Sequence, residues 1–120
     1  MDEKVLQERL IEVGVPGHIV EGLAAYVVHG RPTGSFLMAV LENKFIRACM
    51  YADDVNRRAL WEIAIAIYNE VPASCHGSPE KVEAWMAHEG MRGIKISWWL
   101  EIEKKYLADL DAGEKNVGAR

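Results

Sequence analysis

Cysteine is scarce: the chain has two, Cys49 and Cys75, with no framework of further pairs around them, so disulfides are not expected and both thiols read as reduced. Cys75 stands beside His76 but has no second pair of ligands, which leaves a structural zinc site without support. Long apolar runs are missing as well. Nothing approaches the roughly 18 residues that a membrane helix needs, and Met1-Asp2-Glu3-Lys4 shows no basic-then-apolar export pattern. A cytoplasmic protein without membrane contact is the expectation. Positive charge is short too: 14 Lys and Arg stand against 18 Asp and Glu, a formal net charge of −4. General DNA binding relies on many cations neutralising phosphates, so it is not expected. The four histidines, His18, His29, His76 and His88, form no i, i+4 ligand pair, and no Ser/His/Asp arrangement can be argued from spacing. Metal, cofactor and catalysis are all unindicated.

What is present is apolar material in helical register. With 120 residues, 50 % of them hydrophobic and 27 % charged, the chain suits one core. Leu6, Leu10 and Val13 recur at i, i+4 and i+7, an amphipathic helix that ends near Gly14 and packs as a lid or arm. Pro16 opens a second helix, with Ile19, Leu23, Tyr26 and Val27 on one stripe and Gly30 as its stop. Phe36 to Leu41 is apolar on nearly every side and reads as the central core helix behind a Ser35 N-cap. After a weak break at Asn43-Lys44, Phe45 to Tyr51 reads as a short, mostly buried helical piece.

From Asp53 one long helix is expected, with Leu60, Ile63, Ile67 and Val71 on one stripe and Trp61, Ile65 and Tyr68 on another. The alternation Ile63-Ala64-Ile65-Ala66-Ile67 also fits a strand, but the alanines and an Asp53 or Asp54 cap favour the helix. Ser78-Pro79-Glu80 is the cleanest helix start in the chain, leading Val82, Trp85 and Met86 inward up to Gly90. A last helix from about Ser97 carries Trp99, Ile102, Tyr106 and Leu110. The prediction is an all-α, compact bundle of five to six helices, a single domain over residues 1–112 with a flexible tail over 113–120.

The candidate site lies at the Gly30–Leu37 loop. Two glycines and a proline ahead of a helix start aim backbone N–H groups at whatever sits above it, so the loop reads either as an anion seat or as only a tight interhelical turn. Lys44, Arg47, Arg57 and Arg58 follow on the next two helical segments; folded back against the loop, they concentrate positive charge there in an acidic protein. The expected ligand-binding set is Arg31, Thr33, Gly34, Ser35, Arg47, Asn56 and Arg57. Asn56 and Asn69 belong to this reading because an amide in an apolar helix must be hydrogen-bonded or reach a ligand. Asn43 and Asp53 read as caps, and Tyr68 as a buried ring with a partnered hydroxyl.

From Val15 to about Glu89 the chain resembles a family of small, mostly uncharacterised bacteriophage and prophage proteins. The motifs are Pro16-Gly17-His18, Tyr26, Gly30-x-Pro32-x-Gly34-x-Phe36-Leu37, Ala39-Val40-Leu41-x-Asn43, Ala52-Asp53-x-x-Asn56, Tyr68-Asn69-x-x-Pro72 and Gly77-Ser78-Pro79 with Trp85. Lys44, in place of an acid, and His76, in place of an aromatic, depart from that pattern. The resemblance implies a viral accessory role inside an infected bacterium. The leading expectation is a counter-defence protein that sequesters a small anionic ligand, such as a nucleotide immune signal. The alternative is a stoichiometric inhibitor of a host defence protein, acting through the acidic first helix (Asp2, Glu3, Glu8, Glu12) and an exposed Trp98. A helix-turn-helix at Gly30 fits poorly, because Phe36 to Leu41 offers base edges no polar side chains. Homo-oligomerisation around a shared pocket is compatible with either reading.

Overall fold

Capping chemistry sets most helix boundaries in the computed structural model, which describes residues 2–93. The elements in chain order are α1 (Glu3–Glu12), α2 (Gly17–His29), α3 (Ser35–Leu41), α4 (Phe45–Tyr51), α5 (Asp54–Arg58), α6 (Leu60–Glu70), a 3-10 turn (Ala73–Cys75) and α7 (Pro79–Ala87). The fold is all-α, and no strand occurs among the described residues. The Asp2 side chain accepts from Lys4 N at the start of α1, Asp53 from Asn56 N at α5, and Ser78 from Lys81 N at α7, where Pro79 takes the first helical position. Gly30 ends α2 at φ +71°, in the left-handed region, and Asn43 takes φ +63° just past α3.

Three expectations change at these boundaries. The cap of α3 is Gly34, which has no side chain to offer, and Ser35 is already helical. The long helix expected from Asp53 is two helices, because Ala59, at φ −101° and ψ 10°, breaks the run between α5 and α6. The described residues therefore hold more helices than the five to six expected. Gly90 was expected to stop α7, but His88 caps it and Glu89 makes the left-handed turn at φ +62°. The expected last helix with Trp98 and Trp99, and the tail over 113–120, lie outside the described residues.

The core gathers around α2. Leu23, Ala24, Tyr26 and Val27 are fully enclosed, with Leu6 and Leu10 of α1, Leu41 of α3, Ile63 of α6 and Val82 and Trp85 of α7 around them. So α1 is an integral layer, not a lid, although Val13 of its expected stripe is exposed. Two polar contacts lock distant segments onto α2. The Trp85 indole N–H donates to the Tyr26 and Val27 carbonyls at 3.0 and 3.2 Å, and the Tyr26 hydroxyl donates to Cys75 O at 2.6 Å. Gly30 N already serves the Tyr26 carbonyl at 2.8 Å, whereas the Val27 carbonyl in the last turn lacks an intrahelical donor, so the indole serves it as a cap delivered from another helix.

The loop before α7 is tied down by Gly77 N donating to Leu41 O at 2.7 Å. Beside it, His76 Nε2 is buried without a partner, and burial, then the charge of Lys81, holds the imidazole below its ordinary pKa of 6.5. The unfolded chain thus takes up this proton at a higher pH than the folded one. His76 contributes stability that is fully present above pH 6.5 and lost as the pH falls through that value towards the folded-state pKa. Thermal melts between about pH 7.5 and 5.5 are expected to show a declining midpoint, with a shallower decline in His76→Gln. Equal slopes in the two proteins would show that the folded state protonates this ring freely.

Candidate functional site

A cavity of about 360 Å³ opens where the first turns of α2 face the Pro32–Leu37 loop and α5. Its lining mixes Ile19, Pro32, Phe36 and Leu37 with the polar groups of His18, Thr33, Ser35 and Asn56. Asn56 is the residue that makes it more than a surface dent. It is 5 % exposed, the one buried polar residue among those described. Asp53 fixes its backbone, accepting Asn56 N at 2.7 Å, and His18 Nε2 fixes its side chain, donating to Oδ1 at 2.8 Å. The amide oxygen is thereby engaged from α2 while the NH₂ makes no hydrogen bond among the described residues.

Gly22 explains why there is room. One turn after His18 on the same face of α2, it leaves a gap where a side chain belongs: a Cβ built there meets no atom within 4 Å. Gly in a helix interior costs roughly 0.5–1 kcal/mol against Ala, so a glycine that no neighbour requires here lowers stability and enlarges the cavity. Across from it, Ser35, Phe36 and Leu37 begin α3, and their N–H groups have no intrahelical acceptor, the first helical bond being Met38 N to Gly34 O at 2.9 Å. His18 Nε2 and Thr33 Oγ1 already donate to Asn56 Oδ1 and Gly34 O, which leaves the α3 N–H groups, the Ser35 hydroxyl and the Asn56 NH₂ as donors set among apolar surface.

Of the residues expected from sequence, Thr33, Gly34, Ser35 and Asn56 line this cavity together. The three arginines do not. Arg31 is exposed outside the lining. Arg57 turns to Ala52 O at 3.5 Å and Asp54 at 3.7 Å, and Arg47 lines a different cavity on α4. Lys44 reaches Glu42 at 3.4 Å, Arg58 is solvated, and His29 pairs with Glu3 at 2.9 Å instead of joining the loop. The concentrated basic pocket expected beside the loop is thus dispersed, because α4 packs along α3 with its cations turned away from the α3 N-terminus. Asn69 and Tyr68 are exposed, Tyr68 by 77 %, so neither is buried as the sequence suggested. The acidic face of α1 is also partly spent: Asp2 caps the helix and Glu3 holds His29.

His18 and Gly22 were not in the expected set. The signal for them was local: they are a histidine and a glycine one turn apart in a helix that is otherwise apolar on several sides. What was not local is the arrival of Asn56, 38 positions away, against them.

The remaining titratable cluster is structural. Burial pushes the Cys75 thiol up to about 12, and burial likewise raises the Tyr26 phenol above its ordinary value, so both stay neutral inside the core. Both cysteines are free. Among the described residues no three His, Cys, Asp or Glu side chains group as metal ligands, and no helix is long and apolar enough to cross a membrane. No protein-family model, curated sequence or solved structure matches the chain.

Proposed function

We propose that the protein is a non-catalytic binding protein that sequesters a small, acceptor-rich ligand in the His18–Asn56 cavity. In the phage setting implied by its motifs, this is a counter-defence role against a small signal molecule. The observation that carries the reading is Asn56: a buried amide with its oxygen engaged and its NH₂ free, lining an open space of about 360 Å³. Solvent reaches this amide nitrogen, so a ligand acceptor takes the place of water there, for the roughly 0.5–1.5 kcal/mol net of a typical hydrogen bond. The volume lies in the range of ordinary small-molecule sites, about 300–1,000 Å³, which pair apolar walls with a few placed polar groups. A small molecule carrying carbonyl or phosphate oxygens matches these donors.

The chemistry is binding. What supports this reading is that His18 Nε2 bonds Asn56 Oδ1 and not the Ser35 hydroxyl. With the arginines elsewhere, recognition of an anion rests on neutral donors.

Gly22→Leu tests this. It fills the gap with a side chain that the backbone accommodates, and the better helix former is expected to hold or raise the melting temperature by the equivalent of about 0.5–1 kcal/mol. Native mass spectrometry of protein purified from bacterial cytosol, together with melts in the presence of nucleotides, nucleosides and dicarboxylates, provides the readout. The wild type is expected to carry an adduct or gain a ligand-induced shift that Gly22→Leu loses. A shift retained in Gly22→Leu, or no adduct and no shift in the wild type, overturns the assignment.

A further inference from the structure

Helix α4, expected to be mostly buried, buries only Ala48, and nothing among the described residues covers its outer side. Asn56 is the opposite case, a polar side chain held inside. An asparagine amide has nearly the same shape from either end: its oxygen accepts, its NH₂ donates, and a half-turn about the last side-chain bond exchanges them. A cavity floored by an amide that turns freely therefore takes a ligand acceptor or a ligand donor alike. Asn56 has less freedom than that. Asp53 holds its backbone N at 2.7 Å, and the residue is 5 % exposed, so only the amide itself can turn. Its oxygen lies 2.8 Å from His18 Nε2, which leaves the NH₂ for the cavity.

The proton on His18 decides whether that orientation is compulsory. A neutral imidazole carries one N–H, on either nitrogen. With the proton on Nε2, the ring donates to Oδ1 and the NH₂ meets a ligand acceptor. With it on Nδ1, Nε2 accepts, the amide turns its NH₂ towards the ring, and the oxygen meets a ligand donor. Both arrangements keep the His18–Asn56 hydrogen bond and fill the same space, and no hydrogen bond to Nδ1 among the described residues decides between them. A doubly protonated ring permits only the first, because both nitrogens then donate.

No other lining side chain titrates between about pH 5 and 8. The charged residues on the surrounding elements are Glu21 of α2, Arg31 of the loop, and Asp53, Asp54 and Arg57 of α5, all of them exposed. Asp53 caps α5 and Asp54 faces Arg57 at 3.7 Å. Carboxylates and guanidinium groups ordinarily keep their charge over the range in which imidazoles titrate, so a change in the cavity across that range is a change in His18.

We propose, resting on the cavity as the binding site, that the His18–Asn56 pair reads the hydrogen-bond polarity of the ligand and that the proton on His18 sets the reading. The ligand selected presents a carbonyl-type acceptor to Asn56. An isosteric molecule with an amino group at that point is refused once His18 is doubly protonated, because two donors then face each other. Binding the amino compound requires that proton to leave, whereas binding the carbonyl compound does not, so lowering the pH sharpens the choice. His18 acts through Asn56 and is a positioning residue.

The test uses the full chain and two pairs of uncharged probes, inosine against adenosine and uridine against cytidine, which exchange a carbonyl for an amino group at one ring position. The carbonyl member is expected to be favoured, by a ratio that grows about ten-fold or more between about pH 7.5 and 5.0 as the ring gains its second proton. His18→Gln keeps both a donor and an acceptor within reach of Asn56 but does not protonate. His18 is exposed, so the melting temperature should hold in this variant while the ratio becomes independent of pH. A wild-type ratio that does not change with pH, or a pH dependence retained in His18→Gln, overturns the inference and leaves the cavity as a binding site. Absence of binding by all four probes overturns it as well, and the wider panel with Gly22→Leu then decides the cavity by itself.

Discussion

Replacing Trp85 with alanine is expected to cost about 3–5 kcal/mol, the range for removing a large aromatic from a packed core. Trp85 is 2 % exposed and joins α7 to the end of α2 in two ways, by filling the core beside Leu23 and Val27 and by donating its indole N–H to the Tyr26 and Val27 carbonyls. Gly30 N at 2.8 Å also serves the Tyr26 carbonyl, so the Val27 carbonyl depends more on the indole. Small domains hold only about 5–15 kcal/mol in total, so Trp85→Ala should unfold a large share of the molecules near 37 °C. Trp85→Phe separates the two contributions: it keeps most of the volume but abandons the carbonyls, and is expected to cost about 1–2 kcal/mol. Urea denaturation at constant slope reads both. If Phe costs as much as Ala, the hydrogen bonds outweigh the packing.

Gly30→Ala is the second large effect, expected at about 2–4 kcal/mol. Two costs combine. The backbone is left-handed at φ +71°, where a Cβ costs about 1 kcal/mol, and that Cβ would stand 2.6 Å from Gly90 N and 2.9 Å from the Glu89 carbonyl carbon. Its neighbours are backbone atoms in the turn that follows α7, so no side chain can rotate aside, and overpacking adds roughly 1–3 kcal/mol. The contrast is Gly17→Ala, where the added Cβ meets nothing within 4 Å and the position is already helical. That substitution should be neutral or stabilising by up to about 1 kcal/mol. Similar losses at both positions would mean that the close approach of the two turns does not matter to stability.

The Gly30 result also bears on the site. Gly30 stands at the head of the loop that carries Thr33, Gly34 and Ser35, and it lies against the turn after α7. Loosening it should weaken ligand binding without touching a lining residue. Gly22→Leu, which blocks the cavity while leaving the fold intact, is therefore the cleaner probe of function.

The helical class, the Asp53 and Ser78-Pro79 starts, the Gly30 stop and the turn at Asn43 were legible in the sequence. Each is decided within about four residues, by a side chain reaching its own backbone or by the allowed φ of one residue. The break at Ala59 was hidden because alanine is the best helix former, and nothing local forbids continuing through it. Periodicity showed that the residues of α4 are apolar, but whether a neighbour covers them depends on where α6 and the rest of the chain arrive.

The candidate site divides along the same line. The sequence by itself determined the Gly/Pro loop and singled out Asn56 as an amide that must find a partner, because the cost of an unpaired buried amide does not depend on the fold. Only the tertiary structure decided that the partner is His18, 38 positions away, that Gly22 leaves space beside it, and that Arg47 and Arg57 point elsewhere. Capping and φ preferences act over a turn of helix, whereas pairing across tens of residues and the exposure of a face are properties of packing.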